Sequence, residues 1–331
     1  MVNWRSIHRD AFAGRKVLVT GGAGFIGSHL VQALVELDAK VIVLDDLSGG
    51  DWNNLSGFGN RAEQITGSIT DVAALKRAIA GCEFVFHQAA LGSVPRSVEQ
   101  PEHYFNVNVN GTINVLQQSR VAGVKRVMFA GSSSAYGDPP VMGLKVETMP
   151  PLPRSPYAAT KLAGEHAMRS WYHSYGLDTA VLRYFNIFGP RQNPNSAYAA
   201  VIAAFAKAFD KRQPATIFGD GGQSRDFTYV DNVVHANLLA AKHLKPLEGE
   251  VFNVAAGGRI DLNELYRKMA RLFGLENNQP IFQPVRAGDV RESQADISKA
   301  KSILGYAPLI TFDQGLAETV KWYREHFARQ K

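Results

Sequence analysis

The chain has 331 residues, 45% of them hydrophobic and 20% charged, and its 36 Lys and Arg against 30 Asp and Glu leave a net charge of +6. That balance excludes a disordered, collagen-like or highly charged class. At roughly 100–200 residues per domain the length suggests two domains, with ample chain to bury a core. Cys82 is the only cysteine, so neither an intramolecular disulfide nor a cysteine-cluster zinc site can form. Met1 to Lys16 holds no apolar stretch of the kind a signal peptide needs, so none is expected. The longest near-apolar run, Ala197 to Phe209, contains Tyr198 and Lys207 and is shorter than the ~18 residues of a membrane span. A soluble, cytoplasmic protein with no membrane contact is expected. Lys and Arg are scattered rather than blocked, which argues against nucleic acid and for a small acidic ligand.

In chain order, Lys16–Thr20 (KVLVT) reads as a strand and Phe25–Leu37 as a helix. Lys40–Leu44 is a second strand, Gln64–Thr66 a weak third, and Val72–Ala80 a helix behind Asp71. Phe84–His87 and Arg126–Ala130 are further strands, separated by a long helix from about Phe105 to Ala122. This βαβ rhythm predicts an α/β fold: a doubly wound parallel sheet with helices on both faces. Pro and Gly concentrate between Gly137 and Pro156, a surface loop. A helix follows from Ser155-Pro156 to Tyr175, then a strand at Asp178–Arg183. From Asn186 the rhythm breaks, and residues 186–230 with 257–331 are expected to form a smaller, discontinuous α/β domain. Residues 231–256 offer one more helix and strand that return to the large sheet of residues 1–185.

Gly21-Gly22-Ala23-Gly24-Phe25-Ile26-Gly27 follows the first strand and opens a helix. Glycines there permit a tight turn and let backbone N–H groups approach a pyrophosphate, which the helix dipole also favours. The strand before and the helix after are the context a dinucleotide site requires; a plain Gly-rich turn is the alternative. Asp45 ends the second strand, 18 residues past Gly27. Its carboxylate suits adenosine ribose hydroxyls and would repel a 2′-phosphate, favouring NAD over NADP. Asp46 is expected to form a turn or face solvent.

Tyr157 and Lys161 stand four apart, and so share one face of a helix. A phenol of pKa near 10 is a poor base at neutral pH, but a neighbouring cation favours its phenolate. Ser132-Ser133-Ser134 lies just past the strand Arg126–Ala130, where strand ends of open parallel sheets line the ligand crevice. A hydroxyl there can bridge a substrate hydroxyl and the phenolate. No Gly-x-Ser-x-Gly elbow frames these serines, and the nine histidines show no His-Glu-x-x-His spacing, so neither nucleophilic serine chemistry nor a metal is expected. His87, after an apolar strand, reads as a packed histidine.

Together these residues resemble the extended short-chain dehydrogenase/reductase family. The resemblance is carried by Thr20-Gly21-Gly22-Ala23-Gly24-Phe25-Ile26-Gly27, Asp45, His87-Gln88-Ala89-Ala90, Asn108-Val109-Asn110-Gly111-Thr112, Ser132, Tyr157, Lys161 and Arg183-Tyr184-Phe185-Asn186. It extends to Ser224-Arg225-Asp226-Phe227 and Arg286-Ala-Gly-Asp289 and covers nearly the whole chain. Within the family the chain looks most like NAD-dependent nucleotide-sugar 4-epimerases. The resemblance implies a Rossmann-type fold, bound NAD, and Ser132, Tyr157 and Lys161 as catalytic residues. It implies cofactor contacts at Gly21, Gly24, Phe25, Ile26, Gly27, Asp45, Ser48, Gly49, Ser68, Ile69, Gln88, Ala89, Ala90, Asn108, Tyr157, Lys161 and Tyr184. It places a UDP-sugar against Gly92, Ser93, Ser132, Ser133, Ser134, Tyr157, Asn186, Gln192, Ala200, Val201, Thr216, Phe218, Arg225, Arg286 and Ser293.

Sugar-nucleotide 4,6-dehydratases of this family carry Asp-Glu after the catalytic Ser or Thr, and decarboxylating relatives keep a Glu there. Ser133 and Ser134 occupy those positions, so epimerisation is favoured over elimination. The segments Ala89–Ser97 and Gln192–Val201 resemble the branch acting on UDP-N-acetylglucosamine and UDP-N-acetylgalactosamine. Ser293 matches a position that is a bulky Tyr in strict UDP-glucose epimerases. Some use of UDP-glucose and UDP-galactose is expected too. Ser68 and Asp46 depart from the Asp and Asn common at those positions. A homodimer through a four-helix bundle of the Tyr104–Ala122 and Tyr157–Tyr175 helices is a further implication. A dehydratase or reductase of nucleotide sugars, or a non-catalytic dinucleotide sensor, is the alternative reading.

Overall fold

The computed structural model of the chain describes residues 2–137, 143–194, 200–285 and 291–329. Its first half runs α1 (Trp4–His8), β1 (Lys16–Thr20), α2 (Phe25–Glu36), β2 (Lys40–Asp45), β3 (Ala62–Thr66), α3 (Val72–Ile79) and β4 (Phe84–His87). There follow α4 (Val94–Glu99), α5 (Pro101–Phe105), α6 (Gly111–Val121), β5 (Arg126–Ser132), α7 (Pro156–Tyr175) and β6 (Asp178–Tyr184). The local chemistry explains the boundaries. Asp71 caps α3 by accepting from Ala73 and Ala74 N–H. Ser155 caps α7, Pro156 fills its first turn, and Gly176 ends it in the left-handed conformation at φ 72°.

The later half holds short strands β7 (Ile187–Phe188), β8 (Thr216–Phe218), β9 (Ser224–Arg225) and β10 (Thr228–Tyr229) around α8 (Val201–Asp210). Then come α9 (Val230–Lys242), β11 (Glu250–Val254), β12 (Ile260–Asp261), α10 (Leu262–Phe273), β13 (Ile281–Gln283), β14 (Glu292–Ser293) and α11 (Phe312–Ala328).

One seven-stranded parallel sheet organises the molecule, in the order β11-β6-β5-β4-β1-β2-β3. The helix and strand read from residues 231–256 are α9 and β11, and β11 pairs with β6 at the sheet's edge. Alternation along the strands sends Val17, Val43, Phe86 and Met128 to one face and Leu18, Ile42, Val85 and Val127 to the other. Both faces are dry, as a helix-covered parallel sheet requires. A third apolar cluster gathers Phe205 and Phe209 of α8, Tyr266 and Met269 of α10, and Tyr323 of α11.

The structure changes one predicted helix. α5 begins at Pro101, and between α5 and α6 lies a π-helical turn, Asn106–Asn110. This wide turn carries Asn108, whose side chain reaches out of the helix to Leu91 N, Leu91 O and Thr160 Oγ1. No helix among the described residues is long and apolar enough to cross a membrane.

Candidate active site

The turn after β1 is built for close approach. Gly21 sits at φ 69°, and a Cβ on it would stand 2.7 Å from the Ala89 backbone. A Cβ on Gly27 would stand 2.1 Å from the Gly21 carbonyl oxygen. Only glycine meets both conditions. α2 starts at this turn with no side chain capping its first N–H groups, so they remain available to an anion. The turn walls a cavity of about 390 Å³. Of the residues expected around a cofactor, all but Ser68 and Asn108 line it. A dinucleotide therefore fits the residues present: a backbone cradle at one end, the Asp45 carboxylate beside it, and Tyr157 with Lys161 at the other.

Asp45 is buried and accepts N–H bonds from Ala23 at Oδ2 and Leu47 at Oδ1, each 2.9 Å. Burial pushes its carboxyl above the ordinary value while those N–H bonds hold it down. Asp46 accepts from Ser48 N–H, the turn role expected of it. Ser68 is not in the cavity wall; its hydroxyl is engaged with Thr70, 2.9 Å away, because the chain turns there into α3. Asn108 stands one layer back, holding Leu91 and so the cavity wall.

The end of β5 and the first turn of α7 bring Ser132, Tyr157 and Lys161 together. Lys161 is buried, donates from Nζ to Ala130 O at 3.0 Å, and lies 5.1 Å from the centre of the Phe129 ring. Burial pulls its ammonium down to about 8, with Glu165 opposing that shift. Tyr157 is half-buried. From the sequence, Lys161 is expected to favour its phenolate. In the folded chain desolvation prevails and raises the phenol above its ordinary value, against a hydrogen bond from Ser132. Ser132 also contacts Ser134 Oγ at 2.8 Å and caps the short turn Ser133–Tyr136. His87 is buried between Thr20 and Thr112, and burial pulls it down to about 3. It is the packed histidine that was expected. Thr112 donates to Asn108 O, so its oxygen accepts from His87 Nε2–H, which leaves Nδ1 to accept from Thr20.

Several contributors carry no sequence signal. Asn237 of α9 donates to Tyr184 OH at 2.8 Å, Tyr184 donates to Gln88 Oε1 at 3.1 Å, and Gln88 donates to Asn237 Oδ1 at 3.3 Å. This closed ring fixes two cavity-lining side chains. Asn237 is 149 residues from Gln88, and no local motif marks it. Glu165 and Arg183 form a buried bidentate ion pair behind α7 at 2.9 and 2.6 Å.

The residues expected around a sugar nucleotide lie mostly outside the cavity wall; Gly92 and Tyr157 are in it. Ser93 caps α4, and its N–H meets Tyr104 OH. Ser132 is in register with Tyr184. Two residues on, Asn186 sits at φ 40° and donates to Asp226 O. Arg225 of β9 is in register with the buried Ser293 of β14. Thr216 and Phe218 lie on β8, which pairs with β13. Gln192 donates to Ile187 O, and Ala200 and Val201 begin α8. Ser133 and Ser134 stay half-buried at the end of β5. Arg286, and residues 195–199 of the Gln192–Val201 segment, lie outside the described residues. No group of three or more His, Cys, Asp or Glu among the described residues is placed to hold a metal.

Comparison with known proteins agrees with this geometry. The sequence model of the "NAD dependent epimerase/dehydratase family" matches residues 17–255. The chain is 39% identical over 317 residues to a UDP-glucose 4-epimerase of Mycolicibacterium smegmatis, spanning 93% of this chain and 98% of that protein. It is 37% identical over 324 residues to a UDP-glucuronate 4-epimerase of Thermodesulfobacterium geofontis, spanning 93% and 96%. Among solved structures, a UDP-N-acetylglucosamine 4-epimerase from Methanobrevibacter ruminantium, in complex with UDP-N-acetylmuramic acid, superposes with a TM-score of 0.90 at 39% identity, covering 97% of this chain and 100% of that one.

Proposed function

The chain belongs to the NAD dependent epimerase/dehydratase family, and from that premise we propose that it is a 4-epimerase of UDP-hexoses, interconverting UDP-N-acetylglucosamine and UDP-N-acetylgalactosamine. The observation that carries the reading is Tyr157 and Lys161 in the wall of the cavity that the glycine turn opens, together with Ser133 and Ser134 where elimination would need carboxylates. When bound, NAD supplies the two-electron chemistry that turns the sugar's C4 carbinol into a ketone and back. Tyr157 accepts the proton of the C4 hydroxyl, with Ser132 bridging the two oxygens, and later returns it to that oxygen when the ketone is reduced from its opposite face. Lys161 holds positive charge beneath the phenol, and its bond to Ala130 O fixes where that charge sits. Asp45 receives the adenosine ribose, and the N–H groups at the start of α2 receive the pyrophosphate.

Arg225 and Arg286 anchor the substrate diphosphate, as the planar fork of Arg suits phosphate oxygens. Thr216 and Phe218 take the uracil, and Asn186, Gln192, Ala200 and Val201 shape the sugar pocket. Ser293 supports the N-acetylated substrate: it is small, buried and in register with Arg225. UDP-glucose and UDP-galactose are accepted as poorer substrates. A homodimer is part of the proposal, supported by Phe105 and Val121, 44% and 66% exposed on one of the two helices that would meet.

Incubating pure protein separately with UDP-N-acetylglucosamine, UDP-glucose and UDP-glucuronate, and following the anomeric and H4 proton signals, tests the reading. The axial C4 epimer of the N-acetylated sugar is the expected product. A stable 4-keto product, or turnover of UDP-glucuronate alone, overturns it.

A further inference from the structure

The ion pair of Glu165 and Arg183 lies outside the cavity wall, yet it is built into the same helix as the proton-handling residues. Glu165 is one helical turn past Lys161, so both side chains leave α7 on one face. The backbone of β5 shows how near their charged ends come. Lys161 Nζ bonds Ala130 O at 3.0 Å, while a Cβ on the next residue, Gly131, would stand 3.3 Å from Glu165 Oε1. Gly164 allows that approach, since a Cβ there would stand 2.4 Å from the Phe129 ring. Glu165 and Arg183 are 3% and 4% exposed at their side chains, so water screens neither. The Arg183 guanidinium then rests 4.5 Å from the centre of the Tyr136 ring, and Tyr136 OH donates to Asn253 Oδ1.

We propose that Glu165, held in place by Arg183, is a positioning residue for the reaction: its buried carboxylate is the counter-charge that keeps the Lys161 ammonium charged and seated against β5. The inference rests on the reading of Tyr157 and Lys161 given above. Burial alone pulls Lys161 down, and Glu165 is the group that opposes it. The other titratable groups facing this region do not replace it. His87 of β4 is neutral, Tyr157 of α7 and Tyr184 of β6 are phenols raised by burial, Tyr104 of α5 faces Tyr157, and Arg183 is itself a cation. Arg183 meets both oxygens of that carboxylate, so the buried charge has a direct partner. The arrangement is an alternating row of charges: ammonium, carboxylate, guanidinium.

The test compares Glu165→Gln, Glu165→Gln with Arg183→Met, and Asp178→Asn. The last variant breaks the buried Arg126–Asp178 pair at the other end of β5 and β6 and serves as a control for lost stability. Lysine Cε resonances of 13C-labelled protein are titrated without substrate, and the Lys161 signal is identified by its loss in Lys161→Arg. The expected result is a Lys161 midpoint about one pH unit lower in both Glu165 variants, the lower end of what an opposite charge at close range supplies. Asp178→Asn leaves that midpoint where it is. The alkaline limb of kcat moves down with the midpoint, and KM changes less than about twofold. If the double variant regains the melting temperature lost by Glu165→Gln while Lys161 still titrates low, the carboxylate acts on Lys161 and not merely on packing. An unmoved Lys161 midpoint in both variants overturns the proposal. The titration reads Lys161 directly, so it stands even if no UDP-sugar is epimerised.

Discussion

Tyr157 and Gly27 put the two halves of the site to separate tests. Tyr157→Phe removes one hydroxyl that is not part of the core, so kcat is expected to fall about 10²–10⁴-fold, the usual worth of general acid–base catalysis. The melting temperature stays within a few degrees, and calorimetry alongside turnover checks both. Gly27→Ala acts differently. Its methyl would lie 2.1 Å from the Gly21 carbonyl oxygen, a fixed backbone atom, so the turn must open. Loss of co-purifying cofactor absorbance and a lower melting temperature are expected together; cofactor retained at wild-type level would count against the cradle. These residues were legible in the sequence because each chemistry is local: glycines at fixed offsets before a helix, and a phenol and an amine four apart. Asn237 and Glu165 were not legible, because their roles depend on partners 149 and 18 positions away that only the fold brings near.

At the scale of elements, the loop past β9 is clamped by one buried side chain. Asp226 accepts N–H bonds from Ala256, Gly257 and Ala295 at 3.0, 3.1 and 3.3 Å, tying β9 to the ends of β11 and β14. Burial nevertheless pushes its carboxyl up to about 6. In the unfolded chain the group ionises near 3.8. Between those two values the unfolded state releases its proton first, so this group lowers stability as pH rises from 4 to 6, by about 3 kcal/mol in all. Asp226→Asn is expected to flatten that part of the stability curve, measured by urea unfolding at a series of pH values; a slope identical to wild type would show that another group is responsible. The alternating strands and capped helices of the first half were readable from periodicity, Asp71 and Ser155-Pro156. The π-turn was not, since its cause is the reach of Asn108 to Leu91 and Thr160, and no spacing announces it. The two- and three-residue strands of the later half are too short to carry any period, so only their punctuating glycines and prolines were visible.

For the whole molecule, a ligand that binds only the folded state must raise its stability. NAD added to protein stripped of it, at about 100 times its Kd, is expected to add about 2.7 kcal/mol and a corresponding rise in melting temperature. No rise at saturating NAD would contradict the assignment of the cavity. Charge substitution on the exposed helix face tests assembly: Phe105→Glu with Val121→Glu is expected to convert a dimer to a monomer in sedimentation, with secondary structure unchanged. A wild-type chain that already sediments as a monomer removes that part of the proposal.

The pairing of β11 with β6 has a consequence for how the chain can be cut and made. The strand that closes this edge is residues 250–254, so a fragment ending near residue 185 would leave unpaired the edge of β6 that it covers, Ala180 to Tyr184. Such a fragment should clump rather than behave as a portable nucleotide-binding module. During synthesis the same edge stays open while some seventy residues, 185 to 254, leave the ribosome. Completion of the sheet therefore waits on chain that first leaves it to form β7, α8 and the short strands β8 to β10, and then returns through α9.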